Sequence, residues 1–138
     1  MKSASDVADS IKPILSRRGE IVAAYLFGSA AASRLRPGSD IDIAVLLDEA
    51  AGNMDRKDQL EHLLPSLSRA LRHDVHLVFL NQASYLLRAQ ILGKGELIYV
   101  RDSEQLALFR MKSLALYAEF APYMRMFRES MKERMSKT

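Results

Sequence analysis

Two short apolar runs, residues 21–27 (IVAAYLF) and 40–47 (DIDIAVLL), constrain this chain more than any other feature. Apolar runs of this length between turn signals read as buried strands. The first run ends at Gly28-Ser29. The second opens with Asp40 and Asp42, carboxylates that alternate with Ile41 and Ile43 ahead of a fully apolar remainder to Leu47. Acids two residues apart on a strand share a face. Like charges brought into a buried sheet are costly unless a cation offsets them.

Around these strands the pattern predicts a helix over 5–18, with Val7, Ile11, Ile14 and Leu15 on one side and Pro13 kinking it or delaying its start. A helical turn is predicted over 30–35 and a turn at Pro37-Gly38. A helix over 55–72, interrupted near Pro65, leads to a third strand over 74–80 (DVHLVFL). Asn81 is placed to cap a helix that runs to about Leu92 and stops at Gly93. A fourth strand covers 96–100, and everything from Ser103 reads helical, with a break at Pro122. Strands alternating with helices predict an α/β or α+β fold, a mixed sheet with flanking helices and a C-terminal helical extension. Residues 1–101 form the domain that carries the motifs, and 102–138 form the extension, within one compact unit.

The chemistry gathers where the first two strands meet. A glycine after a strand lets backbone approach a ligand closely. Ser29 adds a hydroxyl, and the turn that follows offers unpaired N–H groups, the makings of a phosphate cradle. Mg²⁺ prefers oxygen ligands and is commonly held by one or two carboxylates together with substrate phosphates. A triphosphate cradle facing Asp40 and Asp42 is therefore a layout for metal-assisted nucleotidyl transfer, with a nucleoside triphosphate as substrate and Mg²⁺ or Mn²⁺ as cofactor.

Composition excludes several other classes. With no cysteine, disulfides, thiolate metal sites and thiol catalysis are absent. No apolar run reaches the ~20 residues of a membrane span, and Met1 to Ser10 has no signal-peptide core. A cytoplasmic location without membrane association is expected. The net charge of +3 is too small to argue for nucleic acid, and no direct nucleic-acid contact is expected.

The motif Gly28-Ser29, followed some ten residues later by Ser39-Asp40-Ile41-Asp42, resembles the signature of the minimal nucleotidyltransferases (MNT) in the DNA polymerase β-like superfamily. The similarity extends through Val75 to Asn81, Leu86 to Gly95 and Leu97 to Tyr99. The tail, with Tyr117, Phe120 and Pro122, resembles that of MNT-type antitoxins, which work with HEPN-domain ribonuclease toxins. The resemblance implies the nucleotidyltransferase fold. It also implies transfer of AMP from ATP to a tyrosine of a HEPN toxin. Gly28, Ser29 and Ser39 would contact the nucleotide, and Asp40 and Asp42 the metal.

This sequence departs from that family at two places. The family usually carries a third carboxylate on the next strand, where this chain has His76. Asp74 lies two residues earlier on the same face and is assigned the third catalytic and metal-binding role, with His76 as the alternative. The turn after Ser29 lacks the family's usual arginine, and Arg34, with Arg36 near it, is the candidate to supply positive charge to the triphosphate. Loss of the third carboxylate would threaten catalysis more than nucleotide binding. This opens a rival reading, a weak or inactive module that neutralises its partner by occupying it. A third reading is a nucleotidyltransferase acting on a small molecule, opposed by the absence of any added substrate domain.

In the tail, Leu114, Tyr117, Phe120, Met124, Phe127 and Met131 recur at three- and four-residue spacing and form an apolar stripe. That stripe suits the chain's own domain, a partner protein, or a second copy in a homo-oligomer.

Overall fold

The computed structural model describes residues 3–28, 40–51 and 58–136. Helix α1 (Ala4–Ser16) opens with a capping box in which Ser3 accepts from the Asp6 N–H and Asp6 accepts from the Ser3 N–H. It runs through Pro13, and the carbonyl that Pro13 leaves without a helical partner belongs to exposed Asp9, where water can satisfy it. Strand β1 (Ile21–Phe27) follows, then β2 (Ile41–Leu47). A π-helical segment, Gln59–Leu63, runs directly into α2 (Leu64–Leu71), and Pro65 stands just after the change from π to α turns. Then come β3 (Val75–Phe79), α3 (Tyr85–Lys94), β4 (Glu96–Val100) and the long α4 (Ser103–Ser136).

The four strands form one mixed sheet in the order β3-β2-β1-β4. β1 runs antiparallel to both β2 and β4, whereas β2 and β3 are parallel. Because β1 and β2 are central, they are buried on both faces, which is why they read as continuous apolar runs. One face packs Ile21, Ala24, Leu26, Ile41, Ile43 and Val45 against Val7, Ile11 and Leu15 of α1 and Leu67 and Leu71 of α2. The other packs Val22, Ala23, Tyr25, Ala44 and Leu46 against Ile91 and Leu92 of α3 and Leu106 of α4. A register shift between Ile21 and Ala23 explains how Val22 and Ala23, adjacent in sequence, serve the same face.

Three local expectations are corrected. Ser84, not Asn81, caps α3, its hydroxyl accepting from the Leu87 N–H. Asn81 instead latches the end of β2: its Oδ1 accepts from the Leu47 N–H at 2.8 Å and its Nδ2 donates to the Leu47 carbonyl at 2.9 Å. That helix passes Gly93 and ends at Lys94, with Gly95 beyond it. Finally, α4 continues through Pro122 without a break. Pro122 and Ala118 are both exposed, so the carbonyl deprived of its donor can turn to solvent. The predicted turns over 30–35 and at Pro37-Gly38 lie outside the described residues.

The first half of α4 is anchored. Leu106 and Ser113 are buried, and the ring of Phe120 stacks on Tyr85 at the start of α3 with centroids 5.8 Å apart. Between the two helices, the Arg88 guanidinium lies over the Tyr85 and Phe109 rings and donates to the Asn81 carbonyl. From Arg125 to Ser136 every residue is exposed.

Candidate functional site

The site lies where β1 ends and β2 begins. Phe27 pairs with Asp42 across the antiparallel ladder, so Gly28 leaves the sheet beside the Asp42 side chain. Gly28 has φ +71°, a left-handed conformation that favours glycine. Its missing side chain matters as well, because a Cβ built there would overlap the Asp42 carboxylate. The polypeptide therefore leaves room for this carboxylate against bare backbone.

The parallel register of β2 and β3 sets Asp42 beside His76 and Ile41 beside Val75. The Ile41 N–H donates to the Asp74 carbonyl at 2.9 Å, which carries the ladder back to the residues just ahead of both strands. By strand alternation, Asp40 and Asp42 on one strand and Asp74 and His76 on the next share a face. Ala44 and Leu46, which continue the Asp42 row, pack under α3 and α4, so the polar quartet is the open end of that covered face. Asp42 is half-buried, while Asp40, Asp74 and His76 are exposed. His76 Nδ1 stands 3.0 Å from Asp42 Oδ1. In the neutral imidazole, donation from Nδ1 to this carboxylate leaves Nε2 as the acceptor. Ser29, Arg34, Arg36 and Ser39 lie outside the described residues.

The donor set suits a hard divalent cation: carboxylate oxygens on one face, held against backbone that no side chain crowds. Among the described residues, no three histidine or acidic side chains cluster as a metal-binding group. A cation here would need the remainder of its shell from elsewhere, as Mg²⁺ does when phosphate oxygens and water complete it.

Sequence reasoning missed one feature. A groove of about 480 Å³ opens between the end of β1 and α3, lined by Phe27, Leu87, Gln90 and Lys94 and bounded by Gly28 and Gly95. Its signal was present but weak, since Gln90 and Lys94 are four residues apart and so on one helix face. Only the fold shows that this face looks towards Gly28.

Residues 9–104 match the family model described as polymerase beta, nucleotidyltransferase. The chain is 36% identical over 93 residues to the protein adenylyltransferase MntA of Shewanella oneidensis, an alignment covering 67% of this chain and 63% of that protein. The chain thus spans a little under two thirds of that relative. Among solved structures, it resembles a chain of a toxin–antitoxin complex with AMP-PNP, with a TM-score of 0.71, 29% identity, and coverage of 90% of this chain and 98% of that one. It also resembles a chain from the complex of tri-AMPylated Shewanella oneidensis HEPN toxin with MNT antitoxin, with a TM-score of 0.67, 28% identity, and coverage of 93% and 98%.

Proposed function

The chain belongs to the polymerase beta nucleotidyltransferase family, and from that premise we propose that it is an antitoxin that transfers AMP from ATP to a tyrosine of a HEPN-domain ribonuclease. The observation that carries this reading is the seating of the Asp42 carboxylate against Gly28 at the β1–β2 junction. The likeness to an adenylyltransferase and to the toxin–antitoxin chains supplies the acceptor class. No helix among the described residues is long and apolar enough to cross a membrane; a cytoplasmic site of action belongs to this proposal.

In this reading Gly28 and Ser29 receive the triphosphate, with Ser39 and Arg34 beside it. Asp40 and Asp42 would hold the divalent cation, Mg²⁺ or Mn²⁺, with Asp74 as the third ligand once its side chain leans along the strand towards them, and the cation would neutralise charge between carboxylates and phosphates. The tyrosine oxygen forms a bond to the α-phosphorus, the bond from that phosphorus to the pyrophosphate oxygen breaks, and pyrophosphate leaves. Asp74 takes the phenolic proton, or His76 takes it at Nε2, the nitrogen that faces away from Asp42. Residues 1–101 carry this chemistry, and the extension 102–138 belongs to the same compact unit. AMP on the toxin adds bulk and negative charge where a ribonuclease must hold RNA phosphate.

One observation favours the occlusion reading instead: the residue paired with Asp42 on β3 is a histidine rather than an acid. Co-expression with a HEPN toxin, followed by the toxin's intact mass, separates the two. Transfer predicts an AMP-sized addition that disappears with Asp40→Ala/Asp42→Ala. Neutralisation without added mass, surviving that double substitution, selects occlusion.

A further inference from the structure

The side chain in register with Asp42 on β3 is His76, a nitrogen donor in a site otherwise made of carboxylates. Resting on the nucleotide reading above, we propose that His76 Nδ1 is a ligand of the nucleotide-bound cation. The nitrogen makes this site select a first-row transition ion, Mn²⁺ or Co²⁺, over Mg²⁺.

His76 Nδ1 stands 3.0 Å from Asp42 Oδ1. Two neighbouring donors on one octahedral cation, each about 2.1 Å from it, are themselves about 3.0 Å apart. The pair is thus already spaced like adjacent corners of one coordination shell. Without a cation, the proton on Nδ1 holds the two together. With one, the neutral ring keeps its proton on Nε2 and presents the Nδ1 lone pair.

The two donors are also held differently. The Asp42 side chain is 25% exposed and seated against Gly28, whereas that of His76 is 60% exposed and has space to turn. No lysine or arginine among the described residues pairs with Asp42, so no fixed positive charge competes for the position. Asp40 and Asp74 lie two residues ahead of Asp42 and His76 on their own strands, and same-face neighbours on a strand are about 6.6 Å apart. His76 is therefore the β3 side chain level with Asp42, and Asp74 has to lean to reach the same point.

The preference follows from the donor. Mg²⁺ takes oxygen ligands and gives up water reluctantly. Imidazole is a softer donor, and the affinity of a site containing it rises from Mn²⁺ to Co²⁺. The oxygens of Asp40, Asp42 and the phosphates suit Mg²⁺ and Mn²⁺ alike, so the nitrogen decides between them. The assignment also divides the work on β3. A ring that gives Nδ1 to the cation and keeps its proton on Nε2 can accept no other, which leaves Asp74 as the base for the phenolic proton.

Inorganic tripolyphosphate is the probe of choice, because it supplies phosphate oxygens and no nitrogen. The untagged full chain is loaded with tripolyphosphate and Mn²⁺, and pulsed electron paramagnetic resonance reads nitrogen hyperfine coupling to the metal. The wild type is expected to show the coupling of a directly bound imidazole. Isotopically labelled histidine should change that coupling, and His76→Ala should abolish it. Calorimetric titrations with Mg²⁺, Mn²⁺ and Co²⁺ are expected to give wild-type affinities that rise in that order. The Mn²⁺ and Co²⁺ advantages over Mg²⁺ should fall severalfold in His76→Ala and His76→Asp. His76 is exposed, so both variants should fold, and the labelled wild type tests the ligand even if they do not. A wild type that binds Mn²⁺ and tripolyphosphate without nitrogen coupling overturns the proposal, and so do metal preferences shared by the wild type and folded variants. Either result leaves the nucleotide reading standing. Failure of the wild type to bind tripolyphosphate or ATP with each of these cations overturns that reading itself.

Discussion

The two ends of the sheet treat their carboxylates in opposite ways. At the end away from Gly28, Glu20 and Asp48 are matched within the chain. Glu20 accepts from Gln59 Nε2 at 2.5 Å and from Arg18 Nε at 3.1 Å, and Arg18 also reaches Asp58. Asp48 accepts from the Ala50 N–H and pairs with Arg101, whose Nε also donates to the Ile21 carbonyl. Among the described residues at the other end, the Asp42 carboxylate pairs with His76, and no lysine or arginine pairs with Asp40, Asp42 or Asp74. Acids that serve the fold are neutralised by the fold. Among the described residues, no lysine or arginine neutralises those at the β1–β2 junction, as expected of groups kept for a cation and a triphosphate.

The contrast breaks most decisively if paired substitutions at the two ends behave alike. Asp42→Ala is expected to lower transfer by at least about 10²-fold, the usual loss when a transition-state electrostatic contact is removed. Its effect on thermal stability should be small, because the pairing it loses is with an exposed histidine. Asp48→Ala should do the reverse, keeping transfer while lowering the melting temperature through loss of the Ala50 and Arg101 contacts. Transfer assays and melting curves on both variants check this. A stable, active Asp42→Ala protein would end the assignment of function to that end.

Gly28→Ala should combine both kinds of damage. Its φ of +71° disfavours alanine, and the new methyl would overlap the Asp42 carboxylate. A loss of about 1–3 kcal/mol is expected from the backbone conformation, measurable by urea unfolding, together with severe loss of transfer. Full transfer in this variant would show that the close seat of Asp42 against Gly28 is dispensable.

Acid sharpens the comparison from the structural end. Burial alone would raise the Glu20 carboxyl, but the hydrogen bonds from Gln59, its own backbone and Arg18, with the Arg18 charge, hold it below the ordinary 4.5. The Ala50 N–H, opposed by burial and helped by Gln105 and Arg101, holds Asp48 below 3.8. Between each lowered value and the ordinary one, the unfolded chain binds more protons than the native chain. The stability from these groups is therefore complete above about pH 4.5 and lost as pH falls through their native values. Glu20→Gln/Asp48→Asn should flatten the acid limb of a stability–pH curve below pH 4.5. An unchanged limb would mean that these two groups do not set it.

Much of this was legible in the sequence because the central strands and the motif obey local rules. β1 and β2 are buried on both faces and read as apolar runs, and the Gly-Ser and Asp-x-Asp spacing survives in one dimension. The errors arose where tertiary partners override local preference. Asn81 looks like a cap, yet its amide serves the end of β2, 34 residues earlier in the chain. Pro122 looks like a helix breaker, yet an exposed helix can spare one hydrogen bond to solvent. The groove was illegible because Phe27 and Leu87 meet only after β1 and α3 pack together.

The smallest expected effect concerns α4, where the same contrast between committed and uncommitted groups recurs in apolar form. Phe120 is committed, since its ring stacks on Tyr85. Aromatic pairs of this kind are worth about 0.5–1.5 kcal/mol beyond their burial, so Phe120→Ser should lower the unfolding free energy by at least that range. Phe127 is two turns further on and 67% exposed, with Met126 at 66%. Fully burying such a side chain would be worth about 1.5–3 kcal/mol, and little of that is realised within this chain. Phe127→Ser should therefore leave the stability of the isolated protein within about 0.5 kcal/mol, as for surface substitutions generally. Its effect should surface only in the affinity for a partner that covers the tail. A Phe127→Ser protein that melts as early as Phe120→Ser would show that the tail folds against the chain's own domain.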